Sequence, residues 1–441
     1  MNKNFFIENR KEFAMKLPDK CAAFIFSGEY KAMSSDTDYR FLVDRNFYYL
    51  TGFVRAGAML LIIRDDSLKN GFEERMYVQD KNPFKERWQG KRPSFEDVEL
   101  ISGIDSVEAD SCWDEAVLQI IKDSEYKLAL DGSSIMEGPR KLRQQIGGLR
   151  NDQILDVSDT LIRMRMVKKP CEIEAITKAA VMTENAVEYM KSFMAERLEH
   201  NSDSGDAADL IWPLNETALY TALEYGMARQ GSLIPAFETI VAIDDNVFYL
   251  HHSDPEDDKI LHNGNLIQLD VGARYEGYCA DISRAIYVKN MTRSEDDFDS
   301  TGEERIIRLH ELIVKLRATV YAETKPGLNF KNLNLIVRKV CGDWLVQEGL
   351  LDVNYTDEDV SRYYWHNTGH HLGLDVHDVC IKDAPFEAGN VLAIEPGVYI
   401  EEWGIGFRIE DDILVTADGC RLLSSGCDSL EDFVFESAFI D

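Results

Sequence analysis

Over the first third of the chain, apolar residues fall in short runs broken by polar turns. CAAFIFSG at Cys21–Gly28 reads as a buried strand. RNFYYLTGF leads into AGAMLLIIRDD, a second apolar strand with a polar stop, and ERMYVQD is a third. CWDEAVLQIIKDSE places Val117, Ile120 and Ile121 at helical spacing, and KLALDGSS reads as a strand entering a turn. Strands alternating with helices from about residue 20 to 160 predict an α/β domain. The pattern changes at LIRMRMVKKPCEIEAITKAA, where Pro170 suits a first helical turn. Ile173, Ile176, Ala180, Val187, Met190 and Met194 then recur as one amphipathic face. The polar stretch Glu196 to Asp209 predicts a surface loop, and NETALYTALEYGMARQG a second helix closed by Gly231. FETIVAID, NLIQLDVGARYEG and YCADISRAIYV read as strands. The acidic stretch Thr292 to Glu304 precedes two more helices, and a last set of strands follows. No short-period repeat is visible. The predicted domains are 1–165 and 166–441, matching a length of 441 residues, which exceeds one ordinary core.

Composition narrows the class. With 45% hydrophobic and 10% aromatic residues the chain can fold as a soluble globular protein. A formal net charge of −31 excludes nucleic acid and anionic membrane surfaces as partners, since both need a basic face. Most of that charge reads as a solvated surface; its field mildly favours metal ions and peptide amines. No signal-peptide run or membrane-length segment is present. The eight cysteines show no metal spacing, so reduced thiols and a cytoplasmic location are expected. Cys279 and Cys380 read as ordinary packing residues.

Four acids in strand-like contexts change the picture. LIQLDVGARYEGYCADISRAIYV predicts a hairpin around Tyr275–Glu276; with Arg274 facing Gly277, Asp270 falls opposite Asp281. VLAIEPGVYI and IGFRIEDDILV pair around Glu402–Trp403; with Ile400 facing Ile405, Glu395 falls opposite Glu410, and Arg408 shares the face of Glu410. Opposed carboxylates about 5 Å apart repel, and one is driven to protonate unless a dication sits between them. One such hairpin would read as exposed acids at a sheet edge. Two, each with apolar flanks, point to a joint site.

Seven of the nine histidines cluster as His251, His252 and His262; His366, His370 and His371; and His377. One as a ligand with others around a reaction centre is a sensible division. His252, His262 and His371 have no special claim. Asp270, Asp281, His370, Glu395 and Glu410 then form an oxygen-rich set with one imidazole. It suits two divalent ions, Mn²⁺ first, with Fe²⁺, Co²⁺ or Zn²⁺ also compatible. The implied chemistry is hydrolysis of an amide or ester bond.

DVGARYEGYCADISR, HNTGHHLGLDVHDV, IEPGVY and GFRIEDDILVT resemble, in order, the metal motifs of the pita-bread metallopeptidases, and within them aminopeptidase P (Xaa-Pro aminopeptidase). Weaker resemblance runs through DTDYRFLVDRNFYYLTGF, ERWQGKR and MRMVKKPCEIEAITKAA. It implies an N-terminal creatinase-like α/β domain and a C-terminal pita-bread domain with a curved antiparallel sheet backed by helices. It further implies Asp270 as a terminal ligand of one metal, Asp281 and Glu410 as bridges, and His370 and Glu395 completing the second. The reaction implied is attack of a metal-bridging hydroxide, releasing the first residue of peptides with proline second. Glu395 would accept the water's proton and His251 would assist proton transfer. His377 would hydrogen-bond the scissile carbonyl oxygen, and His366 would line the proline pocket. Arg408 would orient Glu410, with Tyr399 at the pocket's edge. Trp88 is either an aromatic of its own domain or, as in bacterial relatives, reaches a neighbour's active site in a homo-oligomer, a dimer or tetramer.

Two positions depart from the family pattern. His371 stands where a tryptophan or similar bulky residue is usual, and HSDPEDD follows His251 in place of a YT-type continuation. Both bear on pocket shape, and neither removes a ligand. A prolidase, restricted to Xaa-Pro dipeptides, shares all five ligands and is the rival enzyme. A non-catalytic pita-bread module that binds peptides is the rival of another class, though such modules have typically lost ligands.

Overall fold

The computed structural model describes residues 1–122, 125–132, 154–201, 213–289, 300–425 and 428–436. The chain divides into two units, Met1–Met164 and Arg165–Asp441.

The first unit is built on a six-stranded mixed sheet. Its strands are β1 (Cys21–Phe26), β2 (Met59–Arg64), β3 (Phe72–Val78), β4 (Val107–Ala109), β5 (Lys127–Leu130) and β6 (Ile154–Asp156), in the order β4-β3-β2-β1-β5-β6. Central β1 is apolar throughout because both faces are covered. Ala22, Phe24, Leu61, Tyr77 and Leu128 meet in one core cluster. A helix at Lys3–Lys16, not evident from the sequence, precedes the sheet, with Asn2 as its N-cap. Its apolar period is interrupted by Arg10, which is itself buried and bonds Glu74 and the Leu50 carbonyl. The RNFYYLTGF segment, which leads into β2, forms a helix at Arg45–Thr51.

The second unit repeats one plan twice. Helices Pro170–Asn201 and Glu216–Ala228 back β7 (Ile240–Ile243), β8 (Leu266–Val271) and β11 (Ile282–Lys289). Helices Ser300–Glu323 and Phe330–Gln347 pack in one cluster with residues of β13 (Val391–Ile394), β14 (Gly397–Ile400), β15 (Ile405–Arg408) and β16 (Asp411–Val415). The two four-stranded sheets run β18-β11-β8-β7 and β12-β13-β16-β17, with β12 at Gly369–His371, β17 at Cys420–Leu422 and β18 at Val434–Glu436. All their pairings are antiparallel except β11 with β18. The sheets meet where the Glu410 amide donates to the Ser283 carbonyl at 3.0 Å.

Some expected boundaries move. Glu196 to Asn201 continue the long helix instead of starting a loop, and the rest of that stretch lies outside the described residues. The helix expected to close at Gly231 ends at Ala228, and Gly231 serves the following turn at φ 101°. Ser300 to Glu304 already belong to a helix, while 292–299 lie outside the described residues.

Candidate metal centre

The first acid hairpin corrects its expected register. Tyr275 pairs with Tyr278 through β9 (Arg274–Tyr275) and β10 (Tyr278–Cys279), and Asp270 pairs with Ser283, not Asp281. The turn is Glu276–Gly277, with φ of 47° and 87° at the two positions. Two consecutive positive φ values make the tight turn that matches strand twist, and Gly277 supplies one without strain. The slip equals two residues along β11, so Asp270 and Asp281 keep one face and sit diagonally. The second hairpin has the expected register: Ile400 pairs with Ile405 and Gly397 with Arg408. Beyond the break at Pro396, Ile394 pairs with Asp411, which sets Glu395 and Glu410 opposite each other.

His370, on edge strand β12, faces these acids. Its Nδ1 donates to the His371 carbonyl at 3.0 Å, which turns Nε2 toward the acids. Nε2 lies 3.3 Å from Asp281 Oδ2, 3.9 Å from Glu395 Oε1 and 4.0 Å from Glu410 Oε1. Asp281, His370 and Glu410 can each offer one donor atom within 4.8 Å of the others. Asp270 Oδ1 and Glu410 Oε1 are buried without a hydrogen-bond partner among the described residues. Burial, followed by the neighbouring acids, pushes Asp281 and Glu410 well above the usual carboxylate range, and burial raises Glu395 too. Carboxylates converging on one another, with orphaned oxygens among them, can all be ionised together only around cations. These residues therefore fit divalent metal ions.

Arg408 organises the flank of the site. Its Nη2 donates to Asp270 Oδ2 at 2.6 Å and its Nε to Ser283 Oγ at 3.0 Å, while Ser283 Oγ donates to Glu410 Oε2 at 2.9 Å. Arg408 thus reaches Glu410 through a serine that sequence reading passed over. The available signal was the pleat, since Ser283 lies two residues beyond Asp281 on the same face. Behind the site, Asp411 bonds Arg284, Arg317, Tyr321 and Ser424, and Arg284 also grips the Glu410 carbonyl at 2.6 Å. Asp412 Oδ2 accepts from the Asp281 amide at 3.3 Å. These buried partners fix the backbones that carry two of the acids.

The remaining predicted residues sort by position. Tyr399 is fully buried. Its hydroxyl lies 3.4 Å from Arg408 Nη1 and 3.0 Å from His366 Nε2, and Trp365 stacks on its ring at 4.7 Å. Trp365 is the more open aromatic of that stacked pair, and Phe248 lies 5.9 Å from it. His366 Nδ1 donates to the Asn367 carbonyl, and burial followed by the Arg408 charge lowers its pKa to about 4. The His377 ring lies 4.1 Å from the His370 ring, tilted at 49°; partial burial, then the charges of His370 and His251, lower its pKa to about 4. His251 is exposed within a loop whose Leu250 carbonyl lies 3.5 Å from Arg408 Nη2. Trp88 is 81% exposed within the first unit, which by itself assigns it no role. His371, next to His370 on β12, packs into the core against Phe330 and Phe386. Cys279 is buried with Sγ 3.6 Å from the Leu374 carbonyl, a packing residue as expected.

Comparison with known proteins follows the same division. Residues 174–417 match the model for metallopeptidase family M24, and residues 6–129 that for the aminopeptidase P N-terminal domain. The Xaa-Pro aminopeptidase of Haemophilus influenzae is 26% identical over 96% of this chain and 94% of its own. The mitochondrial intermediate cleaving peptidase 55 of Arabidopsis thaliana is 26% identical over 95% of this chain and 79% of its own. A solved structure from Bacillus anthracis, provisionally identified as an aminopeptidase P, is 30% identical, covers 99% of this chain and 97% of its own, and superposes with a TM-score of 0.82.

Proposed function

The chain belongs to metallopeptidase family M24, with an N-terminal domain of the aminopeptidase P type, and on that premise we propose that it removes the first residue from peptides with proline in second position. That it is a hydrolase follows from the family; the substrate is our reading. The observation that carries it is His370 Nε2 placed among three carboxylates beside an aromatic and histidine-lined wall. Asp270, Asp281, His370, Glu395 and Glu410 would hold two divalent ions, Mn²⁺ first by donor type. When bound, such a pair lowers the pKa of water and draws charge from the scissile carbonyl oxygen.

The chain's own residues supply the rest. Glu395 takes the proton of the attacking water, and His251, exposed at its loop, passes a proton toward the leaving proline nitrogen. His377 donates to the carbonyl oxygen as charge develops there. His366 serves as a fixed wall: its Nδ1 proton is held by Asn367 and its Nε2 accepts from Tyr399. Trp365 and Phe248 offer flat apolar faces suited to a proline ring.

A cytoplasmic location and a homo-oligomer in which a neighbour covers exposed Trp88 complete the reading. A prolidase would share the site. The deciding experiment compares Xaa-Pro dipeptides, Xaa-Pro-Xaa tripeptides and Xaa-Ala-Xaa controls, with Mn²⁺ present. Cleavage of the proline tripeptides alone or best supports an aminopeptidase; cleavage of dipeptides only supports the prolidase; equal cleavage of the alanine controls removes the proline preference. Chelation followed by metal add-back tests the metal requirement.

A further inference from the structure

The segment that carries His251 has little secondary structure of its own. After β7 it makes a short 3₁₀ turn, Asp244–Phe248, and then runs irregularly to Lys259. Asp244 has a positive φ of 52°. Such a segment would drift unless something outside it satisfied its backbone.

One side chain does much of this. Glu216, fully buried, opens the helix Glu216–Ala228 behind the N-cap Asn215. Its Oε1 accepts from the Ile243 amide at 2.8 Å and from Asn246 Nδ2 at 2.9 Å. Its Oε2 accepts from the Glu256 amide at 2.9 Å and lies 2.8 Å from His252 Nε2. One carboxylate therefore ties the start, middle and end of residues 243–256. Its neighbours join in: Asn215 Nδ2 donates to the Asp257 carbonyl at 2.7 Å and Thr217 Oγ1 to the Pro255 carbonyl at 3.4 Å. His252, the residue that departs from the family pattern beside His251, is thus drawn down into the protein. Its neighbour His251 is left exposed.

We propose that Glu216 is a positioning residue for the reaction: through the 243–256 segment and His252 it holds His251 where it can move a proton. The inference rests on the role given to His251 above. Both oxygens of Glu216 face donors, so only a carboxylate satisfies the arrangement. Glutamine keeps the size but turns an NH₂ toward a backbone amide, leaving two donors opposed. Misplacement of a proton-transfer group by a fraction of an ångström costs rate more than binding.

The test is a double-mutant cycle on the purified, metal-loaded, full-length enzyme, combining Glu216→Gln with His251→Ala. Expected is a fall in kcat on the order of tenfold to a hundredfold for Glu216→Gln, with KM and metal content little changed. In the His251→Ala background the same change should cost little more. Hydrogen exchange at amides 244–256 should accelerate in Glu216→Gln. Equal cost in both backgrounds, or unchanged exchange, overturns the proposal. If Glu216→Gln does not fold, His252→Ala replaces it in the cycle, and His252→Gln, which keeps a donor for Glu216, should recover most of the rate; failure to recover it counts against the proposal. If His251→Ala alone leaves kcat intact, the role of His251 falls, while the exchange data still decide whether Glu216 holds the segment.

Discussion

Arg408 and Asp270, 138 residues apart, are paired at 2.6 Å, and the same guanidinium reaches Glu410 through Ser283. One cation therefore orients an acid from each half of the second unit. Arg408→Lys keeps the charge and loses the fork, so it cannot serve both arms. Metal affinity should fall on the order of tenfold to a hundredfold, with kcat falling alongside. Competition with a chromogenic chelator measures this; an unchanged affinity would show that Arg408 does not orient the acids.

Asp281→Asn or Glu410→Gln should abolish turnover and lower metal content, because these two acids and His370 form the tight donor group of the centre. Elemental analysis of the purified variants decides the matter. Full loading of two metals with normal turnover would remove both residues from the ligand set.

His377→Ala should lower kcat by roughly 10²-fold or more with metals retained, the usual effect of losing a hydrogen bond made in the transition state. If KM alone rises, His377 only places the substrate.

Asp378, beside His377, is buried against Lys168 at 2.9 Å and against Arg165, and its amide bonds the His371 carbonyl at 2.8 Å. Burial raises its pKa, but the two cations outweigh that and hold it at about 2. Asp378→Asn takes a buried carboxylate from two buried cations, Lys168 and Arg165, of which Arg165 keeps Asp375 at 3.1 Å. It should cost on the order of 3–5 kcal/mol, read from the denaturation midpoint. A midpoint within error of the parent would contradict this account.

His310 gives a pH dependence away from the metal centre. It is buried on Phe433, at 4.4 Å between rings, and burial, then Arg317, lowers its pKa from 6.5 to about 4. Between those values the unfolded chain binds the extra proton, so stability is present above pH 6.5 and is lost as pH falls toward 4. The contribution is on the order of 3 kcal/mol. His310→Phe should flatten that part of the Tm profile; an unchanged slope between pH 6.5 and 4 would assign the acid sensitivity elsewhere.

How far the site was readable depended on whether partners lay within one hairpin. Glu395 and Glu410 could be aligned because Ile400 to Ile405 closes tightly around Gly404, which takes the left-handed φ of 64°. Asp270 and Asp281 came out two residues adrift because nothing in the sequence marks Glu276 for a positive φ. Ser283 and Glu216 were missed for a different reason. Their partners, Glu410 at 127 positions and Ile243 at 27, are set by the fold, and a serine in a strand or an acid in a first helical turn looks ordinary alone. The Lys3–Lys16 helix escaped because a buried arginine and asparagine broke its apolar period.

The Glu276–Gly277 turn also constrains how this protein can change. Because side chains alternate across a strand, deleting or inserting one residue within the paired part of β8 or β11 would turn Asp281 away from Asp270, whereas a change of two would preserve the face. An odd change of length is therefore tolerated only where the turn itself or a bulge absorbs it, which concentrates the hairpin's freedom to vary at Glu276–Gly277.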